Sequence, residues 1–153
     1  LDLYLNRARP STAEPDSCWY STRPLVEQAR HILDEAARAQ AQLAFSADLG
    51  PDLLVPWRHP TVVVVYADSR LGLETAGLVR AEGRADASVI VRRTNDRTLL
   101  VPTSFWPSAV DGTPLVDPVQ QWWDLIDLGG DDRLEAASRL RRAILDRSIR
   151  TPS

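Results

Sequence analysis

The chain has 153 residues, a net charge of −3, 44% hydrophobic and 25% charged residues, a composition typical of one globular domain. All 18 basic residues are arginines, which excludes lysine Schiff-base chemistry and a phosphate-loop lysine within this chain. One cysteine and two histidines are too few for a structural zinc site. The longest apolar run, Val62–Ala67, is far shorter than the ~20 residues that span a bilayer. We therefore expect a cytoplasmic protein with no membrane contact.

The first third of the chain predicts a lead-in segment followed by a helix. Residues 1–21 have an alternating apolar start and then several prolines, a pattern that predicts a strand followed by a loop. Residues 23–41 carry aliphatic and alanine side chains at helical spacing and predict a helix. A short apolar stretch, Leu43–Phe45, is expected to lead into a brief helix that Pro56 ends.

The middle of the chain predicts a mixed α/β arrangement. Thr61–Ala67 is a β-branched run without polar alternation, as in a strand that is buried on both faces and has helices on both sides. Leucines over residues 69–82 indicate a helix. Residues 88–93 and 98–101 then bracket a turn-like segment and predict a β-hairpin.

The last third predicts two antiparallel helices. Asp117, Pro118 and Gln120 are an N-cap, a first-turn proline and a capping-box residue. The expected apolar stripe of this helix is Val119, Trp122, Trp123 and Ile126. Gly129–Gly130 would end it, and a second helix would start near Asp132. The expected stripe of that helix is Leu134, Ala137, Leu140 and Ile144. The predicted fold is thus a mixed α/β domain over residues 22–150: a central mixed β-sheet covered by helices, with a C-terminal helical hairpin.

Catalytic signals are weak. Cys18, His31 and His59 are not arranged as a nucleophilic site, and no Gly-x-Ser-x-Gly turn is present. The segment from Leu43 to Ser69 has a superficial likeness to nucleotidyltransferases, but Asp68 is the only acid at the end of its strand. Two-metal phosphoryl transfer needs clustered carboxylates. We therefore predict no catalytic, cofactor-binding or metal-binding residue and no cofactor.

Two groups of residues are candidates for binding. Arg92, Arg93 and Arg97 cluster at the predicted hairpin tip, where guanidinium groups suit contact with the phosphates of a nucleic acid. The alternative is a solvated tip. Trp122 and Trp123, with Asp127, are candidates for contact with a protein partner, because tryptophan is enriched in interface hot spots. The alternative is that at least one tryptophan belongs to the core.

Short segments of the chain resemble AbiEi-type antitoxin regulators, the type IV toxin–antitoxin family. The C-terminal segments are Val116-Asp117-Pro118-Val119-Gln120, Asp127-Leu128-Gly129-Gly130, Asp132-Arg133 and Glu135-Ala136-Ala137 before Leu140. The central segments are Phe45-Ser46 through Leu53-Leu54, then Pro56-Trp57 and Pro60 before the strand Val62–Tyr66. The likeness covers most of residues 22–146.

The resemblance implies a cytoplasmic, non-enzymatic transcriptional repressor. In that family an N-terminal winged helix-turn-helix binds DNA, and the partner is a nucleotidyltransferase-like toxin. The helix-turn-helix is absent here, so the resemblance implies DNA binding through a missing N-terminal domain whose tail is residues 1–21. The sequence also contains no methionine, and we expect it to be a processed product or the later part of a longer protein. The family often carries a glycine where Ser46-Ala47 stands, and its loss weakens the case for nucleotide binding.

Three functional hypotheses follow. The first is a non-catalytic regulatory and interaction domain of a transcriptional regulator. The second is an enzyme acting on nucleotides or nucleic acid, with Asp68 and the Ser46–Gly50 loop as a degenerate nucleotidyltransferase-like metal site. The third is a dimerisation domain, since symmetric operators require a homodimer.

Overall fold

The computed structural model of the chain describes residues 16–48, 61–96, 99–100, 109–110 and 113–149. The strands of the main sheet are β1 (Ser17–Tyr20), β2 (Leu43–Ala47), β3 (Val63–Ala67), β4 (Val79–Arg80) and β5 (Val89–Arg93). A separate two-stranded ribbon consists of β6 (Ala109–Val110) and β7 (Thr113–Pro114). The helices are α1 (Leu25–Ala39), α2 (Pro118–Leu128) and α3 (Asp131–Ile149), and Arg84–Asp86 form a 3-10 turn.

The main sheet is mixed, with strand order β2-β3-β5-β1-β4. Only β3 and β5 are parallel, and the other neighbouring strands run antiparallel. The parallel register places Tyr66 beside Arg92, so both side chains point to the same face of the sheet. The α/β fold class predicted from the sequence is confirmed.

Helices cover both faces of β3, as the unbroken apolar run of this strand predicted. On one face, Ile32 of α1 packs in a cluster that includes Val63 and Val65. On the other face, Tyr66 hydrogen-bonds to Asp124 of α2. All five residues of β3 are almost fully buried, which explains why its sequence has no polar alternation.

The predicted helix over residues 69–82 is wrong. Consecutive turns follow β3, and Gly77 adopts a positive φ of 89° before β4 begins. Leu73 and Leu78 are nevertheless buried in the cluster around α1, so these leucines serve the core from turns. The sequence thus predicted that these leucines contact the core, but their spacing did not predict that the backbone forms turns.

The predicted hairpin after residue 93 is also wrong. Strand β5 pairs with β3 on one edge and, over Val89–Val91, with β1 on the other. Thr98 and Val101 of the predicted second strand lie outside the described residues. Leu99 and Leu100 lie in a turn. Strand β1 itself forms at Ser17–Tyr20, where the sequence predicted a loop, and Leu43–Ala47 forms β2. The expected strand at Leu1–Leu5 and the brief helix before Pro56 lie outside the described residues.

The C-terminal helical hairpin is confirmed. The Asp117 carboxylate accepts a hydrogen bond from the Val119 N–H at 2.8 Å and caps α2. Gly129 and Gly130 have positive φ values of 73° and 93° and end the helix. Leu125 of α2 is fully buried in a cluster with residues of α3.

The predicted apolar stripe of α2 is only partly correct. Ile126 is 41% exposed, whereas the buried residues are Pro118, Gln121, Asp124 and Leu125. The helix is therefore rotated so that two polar side chains face inward. Gln120 does not form the expected capping box, since its amide donates to the Tyr66 hydroxyl. In α3, Leu134 is likewise 46% exposed, in contrast to the rest of its predicted stripe.

The hairpin turn provides a test of backbone strain. Gly129 and Gly83 both have open space where a Cβ would stand, but only Gly129 has a positive φ. We expect Gly129→Ala to lower the free energy of unfolding by ~1–3 kcal/mol, because its φ of 73° with ψ of −172° suits glycine alone. Gly83→Ala, at a φ of −167°, is the matched control and should be nearly neutral. Urea denaturation of both variants measures the difference, and equal effects would contradict this assignment.

Candidate functional site

A buried ion pair joins α2 to the centre of the sheet. The Arg92 Nη1 donates to Asp124 Oδ1 at 2.7 Å, and neither side chain has any exposed surface. Arg92 comes from β5 and Asp124 from the inward face of α2. Burying a charge costs several kcal/mol unless it is paired and hydrogen-bonded, so each group requires the other.

The Asp124 carboxylate accepts three further hydrogen bonds. Ser46 Oγ of β2 donates to Oδ2 at 2.5 Å, and the Tyr66 hydroxyl of β3 donates at 2.9 Å to Oδ1. The Gln120 amide, one helical turn earlier, lies 3.3 Å from Oδ1. Three neighbouring strands and α2 therefore meet at one carboxylate.

The same guanidinium group extends the network toward the surface. Arg92 Nε donates to Asp16 at 3.1 Å, and Arg92 Nη2 donates to Asp127 at 3.2 Å. Asp127 also accepts a hydrogen bond from Arg84 at 2.9 Å. We refer to the resulting set as the Arg92 network. It comprises Asp16, Ser46, Tyr66, Arg84, Arg92, Gln120, Asp124 and Asp127.

The electrostatics of the network follow from burial and pairing. Burial raises the pKa of the Asp124 carboxyl, and the Arg92 charge opposes that shift. Burial, followed by the nearby Asp124 charge, raises the pKa of the Tyr66 hydroxyl well above its usual range. Burial disfavours the charge of Arg92, but Asp124, Tyr66 and Asp16 together outweigh this and raise the pKa of Arg92. Arg92 therefore stays charged and Tyr66 stays protonated at neutral pH, where Tyr66 serves as a hydrogen-bond donor.

A second ion pair attaches the start of α3 to the sheet. Arg133 binds Asp48 through one edge of its guanidinium group, with Nε 2.8 Å from Oδ1 and Nη2 3.0 Å from Oδ2. The backbone N–H groups of Thr61 and Val62 donate to the same carboxylate at 3.0 Å each. Burial alone would raise the pKa of Asp48, but the hydrogen bonds from Arg133 and the backbone outweigh it and lower that pKa.

The arginines predicted to contact phosphate do not form one exposed cluster. Arg92 is fully buried in the Arg92 network, so its expected place at an exposed hairpin tip is wrong. The physical reason is that β5 lies inside the sheet, where its alternate side chains enter the core. Arg93 is half-buried at the end of β5 and borders a cleft. Arg97 lies outside the described residues.

The predicted partner-contact residues lie on α2 in different environments. Trp122 packs against the cluster shared with α3, and Trp123 is half-buried. The Asp127 carboxylate binds Arg84 and Arg92 within the chain. Ile126, which the sequence placed in the core, is the most exposed large apolar residue of this helix.

The candidates weighed for catalysis are also dispersed. Asp68 accepts a hydrogen bond from the Gln42 N–H at 2.9 Å, and burial raises the pKa of the Cys18 thiol. The Nδ1 atom of His31 lies 3.3 Å from the carbonyl oxygen of Ala76. His59 lies outside the described residues. Within the described ranges, no group of three or more metal-ligating side chains is close enough to hold an ion.

Sequence reasoning missed the Arg92 network, although one signal for it was present. Gln120, Asp124 and Asp127 recur at i, i+4 and i+7 along α2, which places them on one side of the helix. The sequence analysis instead assigned Gln120 to a capping box and Asp127 to a partner contact. Matching this polar stripe to Tyr66 and Arg92, polar residues that follow apolar residues in β3 and β5, would have indicated a buried contact.

The chain matches no known protein-family model, no curated protein and no solved structure. Among the described residues, no helix is both long and apolar enough to cross a membrane.

The buried ion pair is expected to be far more important for stability than an exposed one. Arg92→Met keeps much of the side-chain volume but leaves Asp124 buried without its cation, and should lower the free energy of unfolding by ~3 kcal/mol. Arg139→Met is the matched control, because Arg139 binds Glu135 on the surface of α3 at 2.8 Å. It should change stability by about 0.5 kcal/mol or less. Urea denaturation tests both, and similar losses would contradict the structural role given to Arg92.

The Asp48 pair predicts a pH dependence of stability. Because the folded-state pKa of Asp48 is lowered, its ionisation stabilises the fold at neutral pH, and this contribution is lost as the pH falls through the folded-state pKa. Asp48→Asn should therefore be less stable than the wild type near neutral pH and lose less stability between about pH 7 and about pH 3. Asp86→Asn, at an exposed position, should follow the wild-type profile. Urea denaturation midpoints measured across this pH range test the contribution of Asp48, and parallel profiles for the wild type and Asp48→Asn would refute that contribution.

Proposed function

We propose that this chain is a non-catalytic regulatory and interaction domain of a transcriptional regulator of the AbiEi type. The observation that carries the proposal is the Arg92 network, in which Arg92 and Asp124 are fully buried and bound to each other. Side chains in such an arrangement hold the fold together and are closed to a substrate. Tyr66 and Arg92, the polar residues at the centre of the sheet, thus serve to hold α2 on the sheet.

The C-terminal segments that resemble the antitoxin family support the proposal because they lie together in the helical hairpin, whereas residues 49–60 of the central segments lie outside the described residues. Asp117 caps α2, and Gly129 and Gly130 turn the chain into α3. Arg133 then fixes the start of α3 to Asp48 beside the sheet. These residues position a helical hairpin on an α/β sheet, which is the architecture expected for an interaction domain.

The outer side of the hairpin is the proposed contact surface. Ile126 on α2 is 41% exposed and Leu134 on α3 is 46% exposed, and Trp123 is half-buried. Large apolar and aromatic side chains at a surface are typical anchors of protein interfaces. The proposed partner is the cognate nucleotidyltransferase-like toxin, and the proposed location is the cytoplasm.

The enzyme hypothesis receives less support from the geometry. The Ser46 hydroxyl is fully buried and donates to Asp124, so it is not part of an accessible loop around Asp68. Dimerisation is the second candidate function, and one observation favours it. Val79 on the edge strand β4 is 61% exposed and pairs across the strands with Tyr20, which is 43% exposed. An apolar pair on a sheet edge suits contact with a second copy.

The regulator proposal predicts DNA binding through an N-terminal domain, and a comparison of DNA affinities tests this prediction. Fluorescence anisotropy of labelled DNA from upstream of the gene is measured with this chain and with the complete translation product at two salt concentrations. We expect the complete product to bind in a salt-dependent manner and this chain to bind at least ~100-fold more weakly, since phosphate contacts dominate affinity.

Controls separate the contributions in this experiment. Arg30→Gln in the complete product should leave the DNA affinity unchanged, because Arg30 is exposed on α1 and the proposed DNA contact lies in the other domain. Light scattering over a concentration series reports whether the complete product is a dimer. If the complete product does not bind its upstream DNA, the regulator proposal fails, and a metal-dependent activity at Asp68 becomes the hypothesis to pursue.

A further inference from the structure

A cleft of about 550 Å³ lies at one end of the sheet, next to the Arg92 network and distinct from its buried core. Arg93 ends β5, and Ser69 and Arg70 follow the end of β3, so the carboxyl ends of the two parallel strands form this edge. Ligands of open α/β sheets bind in the crevice outside such strand ends. The volume is also within the range of small-molecule sites.

Three arginines line the cleft: Arg70, Arg80 and Arg93. Arg70 and Arg80 are exposed, and Arg93 is half-buried. The three come from different parts of the chain, namely the turn after β3, the edge strand β4 and the end of β5. Converging guanidinium groups create a basic cleft in a chain of net charge −3.

Two carboxylates also border the cleft, and they do not cancel its basic character. The Asp16 carboxylate is bound to a residue outside the cleft, since it accepts a hydrogen bond from Arg92 Nε at 3.1 Å. Glu74 is exposed. The guanidinium groups therefore outnumber the carboxylates, and Asp16 is already engaged by Arg92.

Ser17 and Ser69 also line the cleft, and one of its walls is apolar. Leu71 and Val91 line the cleft, together with the indole of Trp19. The Arg80 guanidinium carbon lies 4.8 Å from the centroid of the Trp19 ring, a cation–π contact that holds Arg80 against this wall. The cleft thus combines a basic cluster with an apolar side, which is the lining expected for an amphipathic anion.

We propose that this cleft binds a small organic phosphate. Its phosphate group contacts Arg70, Arg80 and Arg93, because guanidinium groups bind phosphate oxygens in a bidentate manner. Its apolar part lies against Leu71, which is half-buried at the cleft. The site is separate from the proposed regulatory function and stands or falls without it.

Isothermal titration calorimetry of this chain with phenyl phosphate, inorganic phosphate and phenol tests the proposal. Phenyl phosphate should bind in a saturable manner and about tenfold more tightly than inorganic phosphate, since part of the ring is buried. Phenol should bind more weakly than phenyl phosphate. Arg80→Gln and Arg70→Gln should each weaken phenyl phosphate binding at least ~fivefold, through loss of charge-assisted hydrogen bonds.

Arg30→Gln is the matched control, because Arg30 is exposed on α1 and lies outside the residues that line the cleft. It removes the same charge and should leave the affinity unchanged. The proposal is overturned if phenyl phosphate shows no saturable binding up to about 10 mM, or if Arg30→Gln weakens binding as much as Arg80→Gln. Tighter binding of a short oligonucleotide with the same arginine dependence would replace the small molecule by a nucleic acid.

Discussion

The Arg92–Asp124 ion pair is the contact around which the rest of the domain is arranged. Both groups are fully buried, and each would be costly to bury alone. Helix α2 is therefore held in one rotation about its axis, the one that turns Asp124 toward Arg92. This rotation brings Gln121 inward and leaves Ile126 exposed, so the ion pair decides which residues of the hairpin face solvent.

The arginine-only basic set of this chain matters because guanidinium groups make several directed hydrogen bonds. Arg92 contacts three carboxylates and a tyrosine hydroxyl from one planar group. Arg133 binds Asp48 with two parallel hydrogen bonds. A lysine ammonium is a compact point charge and would not reproduce either geometry. The same residue type thus serves the core, the attachment of α3 and the lining of the cleft.

The buried ion pairs that maintain the fold are separate from the exposed apolar and basic residues of the domain. Ion pairs with buried carboxylates occupy one face of the sheet and the start of α3. The exposed apolar residues of the hairpin lie outside these pairs, and the basic cleft is at the end of the parallel strands. The proposed contact surface and the proposed anion site both lie outside the buried pairs, and Ser46 is buried beside Asp124.

Sequence by itself determined the elements that depend on local signals. The long helix before residue 41, the buried strand β3, strand β5 and the helical hairpin with its cap and glycine turn all follow from periodicity, β-branched composition and capping residues. The predicted helix over residues 69–82 was wrong because Leu73 and Leu78 reach the core from turns. The predicted hairpin after residue 93 was wrong because β5 lies inside the sheet, where it pairs with β1. Only the tertiary structure decided that Arg92 and Asp124 are buried and that Arg70, Arg80 and Arg93 share a cleft. These contacts join residues far apart in the chain. They depend on the order of the strands in the sheet and on the rotation of α2 about its axis, and local residue spacing encodes neither.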